Sequence, residues 1–395
     1  MSKLISSAQS SNQKIFVQFG GQGSPYLKEV SKLYLEEPIL KDYFELAFRC
    51  LEKQNQTFPK GEFPFEHGHD LKTWIENPEQ APPDEYIMRS SIQAQMIFIT
   101  QFAYYHLAIL KGYSPSLFKE NTLGCTGHSQ GVIAATLFSL CLEGTDFETG
   151  FENYIDFMYF LVYHAQLGFT ELKYSNEVMQ GNLELGEKNP APMVAILGYT
   201  KNELFERVTQ VNSECNFPEK EIIHISLFNA PDSMILSAPP SSLLKFRQKF
   251  KQEMDENKKK FLYLRTTSPL HSPILEYTAK NFRNDLEKGK FCFPYTPKDL
   301  KFPVYSIFDG KDYRNKNFSS IEFAEFLYAE IVVRPLHWNL ALSSLFPNEN
   351  CHSILDFGPS PISTKLTQLH LSLNQSSIPI YSSAIQKDAK SIYHD

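Results

Sequence analysis

A serine flanked by glycines is the residue of this chain best suited to covalent chemistry. Residues 127–131 read GHSQG and fit G-x-S-x-G, a sharp strand-to-helix bend that presents the Ser129 hydroxyl above a sheet. In a chain with 18 glycines the pattern alone is weak. Its surroundings strengthen it, because apolar runs over 121–127 and 132–142 predict a strand before the bend and a helix after it. The N–H groups that open such a helix would face the oxygen of an attacked carbonyl.

A serine nucleophile needs a base, and eleven histidines are available. His271 lies in the proline-bracketed segment 267–273 (TSPLHSP), which directly follows a predicted strand. We therefore predict that His271 is the base. A second arrangement stays open here, because Ser129, Asp309 and His352 also meet the serine, aspartate, histidine order of α/β-hydrolases.

Two kinds of element must position these residues. The apolar run 14–19 (KIFVQF) followed by the turn 20–25 (GGQGSP) predicts a buried strand, a glycine-rich turn and a helix that continues through Leu33. Further buried strands are expected at 303–308 and 353–357. Together they predict an α/β body.

A second unit interrupts this body. From Pro192 the pattern is strand, helix, strand, strand, helix, strand, which is the β-α-β-β-α-β order of a ferredoxin-like domain. We predict a small subdomain over 191–263, a discontinuous body over 14–190 and 264–395, and a disordered tail over 1–13. The fold class is thus α/β with an inserted ferredoxin-like subdomain.

Composition narrows the function classes. The chain has 395 residues, 42 % of them hydrophobic, and a formal charge of −7, which disfavours nucleic acid and anionic membranes as partners. No apolar stretch is long enough to span a bilayer, and the N-terminus lacks a secretory signal. Six cysteines without metal-ligand spacing are expected to be reduced, and the chain to be cytoplasmic.

One segment of the chain is basic although the chain as a whole is acidic. The predicted insert carries ten basic and nine acidic residues, a net charge of +1, which leaves −8 for the body. A solvated surface or a docking site for an acidic partner explains this basic run equally well. Its members are Lys245, Arg247, Lys249, Lys251, Lys258, Lys259 and Lys260.

The motifs together resemble one family. The segments FGGQG at 19–23, GHSQG at 127–131, NAP at 229–231, SPLHS at 268–272 and DFGP at 356–359 occur in the order and spacing of acyl-CoA:acyl carrier protein acyltransferases. The chain is most similar to the acetyltransferase domain of the fungal-type fatty acid synthase β chain, from about Lys14 to about Thr367. The resemblance implies an α/β-hydrolase-like body with a ferredoxin-like small subdomain, as the element order also predicts.

The resemblance also implies roles for single residues. Ser129 would take an acyl group from a thioester and His271 would deprotonate it, with the backbone N–H groups of Gln22 and Gln130 as oxyanion hole. His128 and Asn229 would shape the cleft that binds the substrate. The histidine of this family is steered mainly by backbone carbonyls, so no carboxylate is required. The expected partners are acyl-CoA as substrate and an acidic acyl carrier protein that docks on the basic run, with no permanently bound cofactor or metal.

One position departs from the family pattern. Members that load malonyl groups carry an arginine on the helix after the serine helix, where this chain has His164. Histidine lacks the fork that pairs with a carboxylate, so we expect an uncharged acyl group. The aromatic content of 14 % and the neighbouring Phe157, Phe160 and Tyr163 favour an apolar acyl pocket, although core packing explains each ring equally well.

Three alternatives remain from the sequence. A serine thioesterase or esterase would use the Asp309 and His352 order, although the motif around His271 argues against it. A malonyl-CoA:carrier protein transacylase would need another anchor for the carboxylate. A non-catalytic scaffold is disfavoured by the intact serine, histidine and glycine-rich turn. Since nothing follows Asp395, we expect a free-standing enzyme that serves a separate synthase.

Overall fold

The computed structural model describes residues 3–23, 25–58, 60–346 and 350–393. Helices and strands are numbered separately in chain order. The helices are α1 (Lys3–Ser10), α2 (Tyr26–Glu36), α3 (Lys41–Thr57), α4 (Leu71–Glu76), α5 (Asp84–Ile87), α6 (Ser90–Leu110), α7 (Pro115–Asn121), α8 (Gly131–Leu140), α9 (Gly144–Leu167), α10 (Asn176–Glu184), α11 (Lys201–Cys215), α12 (Pro240–Glu256), α13 (Thr278–Glu287), α14 (Ser320–Val332), α15 (Trp338–Ala341), α16 (Ile362–Leu373) and α17 (Gln386–Tyr393). The strands are β1 (Lys14–Phe19), β2 (Thr122–Gly127), β3 (Met193–Leu197), β4 (His224–Ala230), β5 (Ser233–Ser237), β6 (Lys260–Tyr263), β7 (Leu336–His337), β8 (Cys351–Asp356) and β9 (Ile380–Ser382).

A parallel sheet in the order β2-β1-β8-β9 forms the centre of the body. Its first three strands are buried almost throughout, as expected for a parallel sheet covered by helices on both faces. Phe19 pairs with Gly127, and Gln18 pairs with Asp356. The turns after β1, β2 and β8 therefore leave the sheet side by side at its carboxyl end, where α/β proteins bind ligands.

The small subdomain has the predicted ferredoxin-like topology. Strands β6-β3-β5-β4 pair antiparallel in that order, which is 4-1-3-2 within the insert. One face of this sheet packs against α11 and α12 in a core of its own, whereas Leu227 and Ile235 on the other face join the core of the body. The sheet gains a fifth strand from the body, because Leu336 and His337 of β7 pair parallel with Leu227 and Phe228 of β4.

The predicted disordered tail is wrong for the part that the structure describes. Residues 3–10 form helix α1, because Leu4, Ile5 and Ala8 share one apolar face that is buried against the body. The first two residues of that predicted tail lie outside the described residues.

The strand predicted at 303–308 is shorter than expected. It makes one parallel bridge, between Val304 and Cys125 of β2, before Ser306 N–H turns to the carbonyl of Lys311. This tight loop over 304–313 lies beside the strand that leads to Ser129. In the part of the chain that the structure describes, no helix combines the length and the apolar character that crossing a bilayer requires.

Candidate active site

Ser129 lies on a strained bend between β2 and α8. Its φ is +52°, in the left-handed region that a non-glycine residue adopts only under constraint. The two flanking glycines are required by close approach of main chain. A Cβ on Gly127 would lie 1.9 Å from the carbonyl carbon of Gly131, and one on Gly131 would lie 2.4 Å from the carbonyl oxygen of Phe19. The bend can form only because both positions lack a side chain.

Ser129 and His271 meet in the folded chain, 142 residues apart in sequence. The Ser129 hydroxyl lies 2.7 Å from Nε2 of His271, within hydrogen-bond distance for transfer of the hydroxyl proton. Both side chains are sheltered, since Ser129 is 8 % exposed and His271 only 1 %. This is the geometry expected of a nucleophile and its base.

The main chain at the end of α14 fixes the histidine ring. His271 Nδ1–H donates to the carbonyl of Arg334 over 3.0 Å, and its backbone N–H donates to the carbonyl of Ile331. The first contact leaves Nε2 without a proton and free to accept one. Burial lowers the pKa of His271 to about 4, so the ring is neutral near pH 7.

Gln130 and Gln22 flank the serine with main-chain donors. In the described part of the chain, neither backbone N–H has a protein acceptor. Their side chains are anchored away, because Gln130 Nε2 donates to the carbonyl of Ala94 and Gln22 Nε2 to that of Ser90. Each is the third residue after its strand, β1 or β2, and the sheet register places the two turns next to each other. Their role as oxyanion hole remains a prediction.

His128 and Asn229 form a contact across the two subdomains. His128 Nε2 lies 2.8 Å from Oδ1 of Asn229, and the His128 ring packs edge-on against Trp338. The carbonyl of Asn229 accepts a hydrogen bond from Nε2 of His370 over 2.8 Å. Trp338 and His370 were not singled out from the sequence, because nothing in their local pattern separates them from core residues.

His164 is committed to a partner on another helix. Its Nε2 lies 3.0 Å from Oδ2 of Asp285 on α13, whose Oδ1 pairs with Lys290 at 2.8 Å. Burial lowers the pKa of His164 despite the opposing effect of Asp285. From α9 it is Gln166 that reaches the His271 segment, through hydrogen bonds to Thr267. The predicted role of His164 toward substrate stays a prediction.

The rings proposed for an acyl pocket divide into two groups. Phe157 is fully buried among Phe282, Phe291 and Phe293, which is core packing. Phe160 and Tyr163 line a cavity of about 350 Å³. The other residues that line this cavity are Thr57, Phe58, Glu62, Phe63, Phe65, Asp285 and Lys290.

The alternative triad does not assemble. His352 contacts the hydroxyls of Ser7 and Ser353, whereas Asp309 pairs with Lys311 and Lys316. Ser129 has His271 as its partner instead. Among the described residues, no group of three His, Cys, Asp or Glu side chains is arranged to hold a metal ion.

Nearby acidic side chains of the small subdomain neutralise part of the basic run. Arg247 and Lys251 both pair with Asp255, and Lys249 pairs with Glu214. Lys259 donates to the carbonyl of Gly198 and lies over the ring of Tyr199. Within the described residues, an acidic partner is absent for Lys245, Lys258 and Lys260, which are all exposed.

A serine on a strained bend, a histidine steered by a main-chain carbonyl and a ferredoxin-like insert between them are typical of serine-dependent acyltransferases. Residues 17–271 match the family described as "Starter unit:ACP transacylase in aflatoxin biosynthesis", and because the match covers more than half of the chain, the chain belongs to this family. The resemblance drawn from the motifs is thereby confirmed.

Individual relatives agree with this assignment. The β subunit of fatty acid synthase from Saccharomyces cerevisiae is 27 % identical over 376 residues, which are 91 % of this chain and 18 % of that protein. The chain thus spans about a fifth of the length of this relative.

Solved structures share the fold. The malonyl CoA-acyl carrier protein transacylase from Coxiella burnetii superimposes with a TM-score of 0.64 at 16 % identity, over 97 % of this chain and 99 % of that one. The structure of a malonyl-transacylase in complex with its type II polyketide synthase acyl carrier protein also matches. The TM-score is 0.65 at 16 % identity, over 97 % of this chain and 100 % of the matched chain. These likenesses confirm the predicted fold class.

Proposed function

We propose that this chain moves an uncharged acyl group, acetyl or longer, from coenzyme A to the phosphopantetheine thiol of an acyl carrier protein, in fatty acid or polyketide biosynthesis. The observation that carries the proposal is the 2.7 Å contact between Ser129 Oγ and His271 Nε2. Family membership supports the reaction class. The complex of a fold relative with its carrier protein supports the kind of partner.

The first half-reaction acylates the serine. His271 Nε2 takes the Ser129 proton as Oγ attacks the thioester carbonyl, and the negative charge on the carbonyl oxygen is stabilised by the N–H groups of Gln22 and Gln130. The intermediate then expels the coenzyme A thiolate, which takes the proton back from His271. The products are acyl-Ser129 and free coenzyme A.

The second half-reaction reverses these steps with a new thiol. His271 takes the proton of the phosphopantetheine thiol, the sulfur attacks the acyl ester, and the departing Ser129 oxygen recovers the proton. The imidazolium that forms in each half lies against the carbonyl of Arg334, near the negative end of the α14 dipole. These groups support catalysis without a carboxylate.

Transfer rather than hydrolysis requires that the acyl-serine outlasts contact with water. The burial of Ser129 and His271 limits the room for an activated water beside the ester. We therefore expect the acyl-enzyme to persist until a carrier thiol arrives.

The test is the intact mass of the protein after incubation with acetyl, octanoyl or malonyl coenzyme A. We expect one acetyl or octanoyl group on the wild type and none on Ser129→Ala. Added holo-carrier protein should remove the group, whereas apo-carrier protein, which lacks the thiol, should not. Labelling that persists in Ser129→Ala would refute the nucleophile, and rapid loss of the group in buffer alone would indicate a thioesterase instead.

Carrier docking is the finer part of the proposal. We assign it to Lys245, Lys258 and Lys260, the exposed members of the basic run for which the described part of the chain holds no acidic partner. Lys245 lies in the second turn of α12 and the other two beyond its C-terminal end, which is about 17 Å further along the helix at 1.5 Å per residue. An acidic carrier protein would meet uncompensated positive charge there.

A further inference from the structure

A buried carboxylate on α14 is left unused by the proposed reaction. Glu330 is fully buried, and burial raises the pKa of its carboxyl group to about 6. A carboxylate taken out of water is retained only where donors compensate for the lost hydration. Its surroundings show what it holds together.

Three donors from the 304–313 loop converge on Glu330. The Ser306 hydroxyl donates to Oε1 over 2.5 Å, whereas the Ile307 N–H and the Tyr313 hydroxyl donate to Oε2 over 3.2 and 2.6 Å. Ser306 Oγ in turn accepts the N–H groups of Phe308 and Asp309. Glu330 thereby fastens the last turn of α14 to this loop.

The same turn of α14 holds His271. The carbonyl of Ile331, the next residue, accepts the His271 N–H, and the carbonyl of Arg334, two residues beyond the end of α14, accepts Nδ1–H. The final carbonyls of a helix lack partners within the helix, which leaves them available for this purpose. His271 has a φ of +56°, a conformation that persists only where the surroundings enforce it.

The other end of the connection reaches the serine. The 304–313 loop continues from the segment paired with β2, through hydrogen bonds of Tyr305 N–H to the carbonyl of Cys125 and of Thr126 Oγ1 to the carbonyl of Tyr305. β2 ends at Gly127, two residues before Ser129. One buried side chain thus links the loop that pairs with the serine's strand to the helix whose end supports the histidine.

We propose that Glu330 is a positioning residue that sets the distance and angle between Ser129 Oγ and His271 Nε2. It does not touch the reacting atoms and acts through the alignment of His271 with Ser129. The inference rests on the proposed function only in naming which reaction slows when the alignment is lost.

The test is a double-mutant cycle on the rate of Ser129 acylation. Glu330→Gln keeps the volume but turns one acceptor into a donor that faces donors. We expect a loss of about tenfold in kcat with little change in KM, since a misplacement of about 1 Å can cost about 100-fold and a smaller shift costs less. In a His271→Ala background the same substitution should cause no further loss. An equal loss in both backgrounds, or no loss in either, overturns the proposal.

Two further arms keep the test decisive. A fluorophosphonate probe reports the reactivity of Ser129 without an acyl substrate. If the wild type reacts with the probe but accepts no thioester, the proposed function is refuted, and the labelling rates of the variants still test the role of Glu330. If Glu330→Gln does not fold, Tyr313→Phe removes one of the three donors. Its control is Tyr328→Phe, which removes the hydrogen bond from the same helix to Thr278. The proposal is supported if the probe labels Tyr313→Phe more slowly than Tyr328→Phe, and it is overturned if the two variants are labelled at equal rates.

Discussion

His128 joins the bend that carries the serine to Asn229 at the end of β4, in the other subdomain, through a 2.8 Å contact between Nε2 and Oδ1. Burial lowers the pKa of His128, so its ring is neutral and its Nε2–H has one acceptor. The alignment of the nucleophile therefore depends on how the small subdomain sits against the body.

This dependence predicts the effect of Asn229→Ala. The substitution leaves a buried ring nitrogen unpaired, and we expect a loss of about 1–3 kcal/mol in the free energy of unfolding together with slower acylation. The control is Asn182→Ala, which removes another buried amide, bonded to Val178 and Tyr263. Denaturant unfolding and acylation kinetics measure both. Similar kinetics for the two variants would contradict a role of Asn229 at the site.

The pH dependence of acylation follows from the pKa of His271, which burial lowers from 6.5 to about 4. A base must be unprotonated, so we expect the acid limb of kcat/KM to lie near pH 4–5 rather than near 6.5. Rates measured from pH 4 to 8 on folded protein provide the check. An apparent pKa of 6.5 or above would argue that the ring is solvated.

The same shift affects stability. With a folded-state pKa below that of the unfolded chain, the native state binds fewer protons between pH 6.5 and 4, so the free energy of unfolding falls as pH drops through this window. Burial also lowers the pKa of His69 and of His106, which add to the slope. His271→Gln should reduce the slope by about 1.4 kcal/mol per pH unit, one proton's share. An unchanged slope would show that His271 is protonated alike in both states.

Acyl selectivity follows from the pairing of His164 with Asp285. We expect the wild type to load malonyl groups poorly, and His164→Arg to remain poor because Asp285 would pair with the new guanidinium. Only the double variant, His164→Arg with Asp285→Asn, would leave that guanidinium free to pair with the malonyl carboxylate. Mass shifts with acetyl and malonyl coenzyme A compare the three proteins. Efficient malonyl loading by the wild type would refute the proposed preference for uncharged groups.

The bend itself is tested by Gly127→Ala. The added Cβ would overlap the main chain of Gly131, which no side-chain movement relieves, so we expect a loss of at least about 2 kcal/mol and no acylation. In Gly181→Ala, on helix α10, the nearest atoms to the added Cβ belong to the side chain of Leu244 on α12, which can shift, so stability should change by less than about 1 kcal/mol. Thermal unfolding of both variants decides. A stable, active Gly127→Ala would mean that the bend tolerates a side chain.

Carrier docking is tested by charge reversal in two sets. Changing Lys245, Lys258 and Lys260 to Glu should weaken transfer to the carrier protein and leave acylation from coenzyme A unchanged. The matched set, Lys249→Glu with Lys251→Glu, alters lysines that already have acidic partners and should weaken transfer less. Increasing salt should reduce the difference. An equal effect of both sets would place the docking surface elsewhere.

The sequence was informative wherever a constraint is local. The bend at Ser129, strand β1 and the element order of the insert follow from glycine spacing and apolar periodicity, and each matches the structure. Contacts between distant segments have no such signature. The pairing of His164 with Asp285, the support of His271 by Arg334 and the burial of Glu330 depend on how α9, α13 and α14 pack.

Charge and disorder were the least predictable properties. The sequence predicts the basic run but not its pairing. Arg247 meets Asp255 two turns further along α12, whereas Lys249 meets Glu214 only because α11 packs beside α12. The predicted N-terminal tail is a helix because three apolar residues among serines lie on one face, and that face is buried against the body.

The short strand β7 also restricts how the small subdomain can move against the body. Leu336 and His337 belong to the body but pair with β4 of the small sheet. A hinge motion of the small subdomain would therefore have to break the main-chain hydrogen bonds between β7 and β4. The pairing therefore restrains movement of the small subdomain against the body close to Asn229, which meets His128. Exchange of the two thiol substrates would then proceed without a large movement between the two subdomains.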